Sequence, residues 1–104
     1  MNSLTQSSNF LETKDQIKKK VKNILQQNGV KKANFFGSIA RGDFEESSDI
    51  DILIEFEGKK SLVDLIRLKN QLEDELLRKV DINTFNAINP LIKPYIQKDM
   101  EKIF

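Results

Sequence analysis

The chain has 104 residues, 38% of them hydrophobic and 32% charged, which suits one modest core inside a well-solvated exterior. It contains no Cys and no His, and this excludes disulfide frameworks, Cys/His zinc sites, thiol nucleophiles and Ser-His-Asp triads. Seventeen basic against sixteen acidic residues give a formal net charge of +1, so acid–base or metal chemistry must rest on carboxylates, hydroxyls, Lys, Arg or backbone groups, with a preference for hard cations such as Mg²⁺ or Mn²⁺.

Residues 1–11, dominated by Asn, Ser, Thr and Gln, are expected as a loose tail, and residues 12–104 as a single domain. The start lacks the charged and apolar regions of a signal peptide, and nowhere do eighteen apolar residues follow one another. A chain without cysteine fits the reducing cytoplasm. Thr13 and Gln16 form a capping box at the head of a first helix. Ile17, Val21, Ile24 and Leu25 recur at helical spacing, with lysines opposite, and Gly29 after Asn28 supplies a left-handed end. A short apolar run from Ala33 to Phe36 reads as a buried strand stopping at Gly37. Residues 38–48 read as a turn of helix and a loop, in which Asp43, Glu45 and Glu46 are solvated.

From Asp49 to Phe56 the residues alternate. Ile50, Ile52, Ile54 and Phe56 point one way, and Asp49, Asp51, Leu53 and Glu55 the other, giving a strand with one apolar face. Ser61 caps a second helix, with Asp64 in its first turn and Leu62, Leu65, Ile66, Leu72 and Leu76 as the inward stripe. Val80 to Phe85 reads as a third strand, in which Asp81, Asn83 and Phe85 share a face. Pro90, Pro94 and the stripe Leu91, Tyr95, Ile96 and Ile103 suggest a last, interrupted helix with Tyr95 in the core. The expected fold is α+β or α/β, a small mixed sheet with helices packed on it.

Charge is unevenly spread. Up to Lys32 the sequence carries seven lysines against Glu12 and Asp15, whereas Gly42 to Gly58 holds seven carboxylates and no basic residue. Such an acidic block is either a solvated face or a cation site. Gly37-Ser38, leaving a strand and entering a helical turn, offers what a triphosphate needs: close backbone N–H groups and a hydroxyl donor. Asp49 and Asp51, two apart on one strand, share a side and repel unless a cation lies between them.

Gly37-Ser38, ten residues, then Asp49-x-Asp51 resembles the signature of the nucleotidyltransferase superfamily related to DNA polymerase beta. The fuller strings Gly37-Ser38-Ile39-Ala40-Arg41-Gly42 and Ser48 to Ile54 are most similar to the minimal nucleotidyltransferase (MNT) family, antitoxins paired with HEPN-domain toxins. The resemblance implies two Mg²⁺ ions (Mn²⁺ as alternative) on Asp49, Asp51 and Asp81, with Asp81 as the third carboxylate and the general base. It implies ATP as substrate, its phosphates gripped by Gly37 and Ser38. Arg41 either reaches a phosphate or pairs with Asp43 or Glu45. By analogy, AMP passes to a tyrosine hydroxyl of a HEPN ribonuclease toxin and silences it. Two other readings stay open: an antitoxin that only masks its partner, and nucleotide addition to RNA through the lysine-rich helix, which the scarcity of aromatic residues disfavours.

Overall fold

A computed structural model describes residues 13–45 and 47–104; the expected tail, Glu12 and Glu46 lie outside the described residues. The elements run α1 (Lys14–Gln27), β1 (Val30–Phe36), α2 (Gly37–Arg41), β2 (Ile50–Phe56), α3 (Leu62–Leu76), β3 (Val80–Thr84), a 3-10 turn (Phe85–Ala87), α4 (Lys93–Gln97) and β4 (Glu101–Lys102). The four strands form one mixed sheet in the order β3-β2-β1-β4. β2 lies antiparallel to β1 and parallel to β3, while β4 runs antiparallel to β1.

Helix α1 begins on the predicted capping box. Gln16 N donates to Thr13 Oγ1 at 3.2 Å and Thr13 N to Gln16 Oε1 at 2.9 Å, so two orphan amides of the first turn are satisfied. Ile17, Val21, Ile24 and Leu25 are all buried. They meet Phe35 from β1, Ile50, Ile52 and Ile54 from β2, Leu68, Leu72 and Leu76 from α3, and Val80 and Ile82 from β3 in one continuous core. One sheet face is thus covered by helices, and Asp51 and Asp81 lie on the other, where Leu53 is nonetheless buried.

Four expectations need correction. The inward stripe of α3 is Leu65, Leu68, Leu72 and Leu76; Leu62 and Ile66 point outward, 70% and 48% exposed. The periodicity admits two frames near the helix start, and packing against α1 selects the one that passes through Leu68. β1 starts at Val30, which pairs with Phe56, before its lysines; a bulge between Val30 and Lys32 breaks the alternation that would have announced it. Leu53 is buried although it faces away from the helices. The last helix is only Lys93–Gln97, and Tyr95 on it is 77% exposed, so it is not core. Ile103 is buried beyond a fourth strand, whose edge pairing with Asn34 and Phe35 no local pattern announces.

Ser61 caps α3 with a second reciprocal box. Its Oγ accepts from Asp64 N at 3.4 Å, while its N–H and Oγ donate to Asp64 Oδ2 at 2.8 and 3.0 Å, and these last two bonds hold the Asp64 carboxyl below its ordinary pKa. Ser61→Ala should lower stability by about 1 kcal/mol and Tm by roughly 4–8 °C. A thermal melt showing no shift would mean that tertiary packing alone holds the start of α3. None of the helices among the described residues is long and apolar enough to cross a membrane.

Candidate active site

β2 and β3 run parallel with Asp51 opposite Asp81, Ile50 opposite Val80 and Ile52 opposite Ile82. Ile50, Ile52, Val80 and Ile82 are buried in the core, so alternation turns Asp51 and Asp81 together onto the open face. Two hydrogen bonds fix this pairing at its end. Ile50 N donates to the Lys79 carbonyl at 2.9 Å, and Val80 N donates to Glu73 Oε2 on α3 at 3.0 Å.

Asp49 stands one residue before β2, exposed at the mouth of the same end. The loop that delivers it is tied down: Arg78 Nη1 donates to the Glu45 carbonyl at 3.2 Å, and the Arg78 guanidinium lies over the Phe44 ring at 4.7 Å. Asp43 and Glu45 are exposed, as expected of a solvated loop.

β1 enters the site from the other side. Phe36, its last residue, is the register partner of Asp51. Gly37 then turns into α2 with φ +68°, a left-handed conformation. A Cβ on Gly37 would overlap the Asp51 carboxylate and sit 3.1 Å from its Cγ. The glycine therefore serves conformation and close approach at once. Phe36, at the N-cap of α2, makes no side-chain capping bond, which leaves the first amides of Gly37-Ser38-Ile39 without a side-chain acceptor from it.

The electrostatics follow from this crowding. Burial first, then the charges of Asp81 and Asp49, push the Asp51 carboxyl up to about 6, and Arg41 pulls weakly the other way. Arg41 Nε also contacts Asp43 Oδ2 at 3.4 Å, so its predicted pairing within the loop is present. Asp51 and Asp81 are brought side by side, with Gly37 packed against Asp51 and Ser38 following it in α2. Among the described residues no three carboxylates are already drawn together as a metal cage. The donor set nevertheless fits a hard divalent cation: it is all carboxylate, and its mutual repulsion is what a cation would relieve.

Asn83 is a residue whose part in the site the sequence did not reveal. Its Nδ2 donates to Asp81 Oδ1 at 3.2 Å. The two-residue spacing on one strand was the available signal. Elsewhere, Lys14 and Lys18 of the lysine-rich helix pair with Glu101 at 2.5 and 3.2 Å, which commits that part of the lysine face to the fold. A cleft lined by Ile54, Gly58, Lys60, Thr84 and Phe85 lies at the other end of β2 and β3, away from the carboxylates.

The family described as polymerase beta, nucleotidyltransferase matches residues 19–104. A Methanocaldococcus jannaschii protein, provisionally named a protein adenylyltransferase, is 52% identical over 82 residues, 79% of this chain and 88% of that protein. The protein adenylyltransferase MntA of Thermococcus cleftensis is 41% identical over 61 residues, 59% of this chain and 62% of that one. A solved structure provisionally described as a minimal nucleotidyltransferase superposes with TM-score 0.70 at 32% identity, covering 81% of this chain and 86% of its own. The same fold recurs in a complex of a tri-AMPylated Shewanella oneidensis HEPN toxin with its MNT antitoxin. There the TM-score is 0.71 at 16% identity, over 88% of this chain and 72% of that one.

Proposed function

The chain belongs to the polymerase beta nucleotidyltransferase family, and from that premise we propose that it transfers AMP from ATP to a tyrosine hydroxyl of a cognate HEPN-domain toxin, silencing it as an antitoxin in the cytoplasm. One observation supports this most directly. Asp51 and Asp81 stand in register on the open face, with the Gly37 backbone packed against Asp51. Relatives named protein adenylyltransferase and an MNT antitoxin solved with an AMPylated HEPN toxin support the choice of donor, acceptor and partner.

Asp49, Asp51 and Asp81 would hold Mg²⁺, which when bound neutralises charge developing on the phosphates and on the departing pyrophosphate. The Gly37 and Ser38 amides and the Ser38 hydroxyl grip the outer phosphates, since a Cβ-free backbone lets them approach. Arg41, paired with Asp43 in the free chain, would exchange that partner for a phosphate oxygen. As the acceptor oxygen bonds to the α-phosphorus and the bond to pyrophosphate breaks, Asp81 takes the hydroxyl proton. A chain without histidine leaves this duty to a carboxylate.

The test is to incubate the chain with ATP, Mg²⁺ and its co-purified HEPN partner, then to read both proteins by mass spectrometry. One or more AMP additions on a partner tyrosine are expected, and none with the double variant Asp49→Asn/Asp51→Asn. Toxin neutralisation that survives intact in that variant would instead make the protein a masking antitoxin.

A further inference from the structure

We propose that Asn83 is the positioning residue for Asp81: its amide fixes one carboxylate oxygen so that the other stays aimed at the reacting hydroxyl. The proposal rests on the role given above to Asp81. Asp81 is exposed, near the start of its strand. An exposed carboxylate without a partner spreads over several rotamers, and transfer needs it held to within about 0.5 Å.

The structure supplies one tether. Among the described residues, the bond from Asn83 Nδ2 to Asp81 Oδ1, at 3.2 Å, is the hydrogen bond made to that carboxylate. Asn83 can act as a fixed point because it is itself half-buried. It lies in a cross-strand row, Asn34–Leu53–Asn83, directly below the row Phe36–Asp51–Asp81 on the same face. Leu53 at the centre of that lower row is fully buried, so packing limits where the Asn83 amide can go.

The choice of an amide is chemically pointed. A Lys or Arg at this position would pair with Asp81 and compete with a cation. An Asp would add another negative charge to a cluster already strained by repulsion between Asp51 and Asp81. A neutral donor orients the carboxylate and keeps its charge available, as groups behind metal-binding carboxylates commonly do.

Asn83→Leu keeps the branched shape and deletes the donor, whereas Asn83→Gln keeps an amide. Two readouts apply to the full chain: steady-state AMP transfer, and the Mn²⁺ concentration giving half the cation-induced rise in Tm. With Leu, kcat should fall about tenfold at unchanged KM for ATP, or the Mn²⁺ midpoint should rise about tenfold, while the cation-free Tm stays put. Gln should recover most of the loss. Both readouts within twofold of wild type, or an equal loss in the Gln variant, overturn the assignment. An Asp81→Asn control separates the two levels: if it transfers as well as wild type, the role of Asp81 falls and this inference with it. If it is inactive while Asn83→Leu stays within twofold of wild type in both readouts, this inference fails alone.

Discussion

Asp51→Asn is expected to change activity and stability in opposite directions, lowering transfer by about 10³-fold while raising the Tm of the metal-free protein at pH 7.5. The activity loss follows from removing a cation ligand whose charge stabilisation is worth several kcal/mol, at about 1.4 kcal/mol per tenfold. The stability gain follows from the sign of the pKa shift. Asp51 titrates at about 6 in the fold against an ordinary 3.8, raised first by burial and then by Asp81 and Asp49. The folded chain therefore binds this proton more tightly than the unfolded one. The stability this confers is fully present below about pH 4 and is lost as pH rises to about 6. Above that window ionised Asp51 opposes folding, by about 1–2 kcal/mol once solvent screening is allowed for. Asparagine removes the penalty. Calorimetry in chelator should show the variant melting several degrees above wild type, and Mg²⁺ should raise only the wild type. A variant melting at or below wild type in chelator would contradict the repulsion described at this site.

Gly37→Ala should be the most damaging single methyl that the site can receive. The left-handed φ of +68° at this position costs an L-residue about 1–2 kcal/mol. The added Cβ would also displace the Asp51 carboxylate, so a total of about 2–3 kcal/mol is expected, with transfer down at least 10²-fold. Gly42→Ala is the internal control. Its φ is +90° but nothing lies within 4 Å of the new Cβ, so it should lose stability from strain while keeping most of its activity. In an Asp51→Ala background, Gly37→Ala should cost no more than Gly42→Ala does, a coupling that a double-mutant cycle reads directly. Equal losses of activity from the two glycine variants would show that the contact with Asp51 is immaterial.

Much of this arrangement was legible in the residues. The Thr13/Gln16 box, the helical spacing of α1 and the alternation of β2 are local signals, and each appears as expected but for the burial of Leu53. Asp49, expected on the same strand face as Asp51, falls one residue before β2, whereas Asp51 and Asp81 could be placed on strand faces by period alone. That Asp51 and Asp81 meet could not, because it depends on β2 and β3 being parallel and in register, which chain order leaves open. The clash of Leu62 and Ile66 with the true stripe of α3 has the same origin: the partner helix decides the frame. Tyr95 misled because an apolar stripe interrupted by two prolines never becomes a long helix. Glu101–Lys102 pairs with β1 because of what lies beside it, and Glu-Lys carries no strand preference of its own.

That last pairing also protects the molecule. Ala33 N donates to the Phe104 carbonyl at 3.1 Å, and Ile103 N donates to the Ala33 carbonyl at 2.9 Å. The backbone of β1 is thereby occupied along the rim where a foreign strand would otherwise attach, and Lys14 and Lys18 clamp Glu101 in place from the helix above. Trimming or fusing at these few residues would uncover a template for self-association, with none of the reacting groups having been touched.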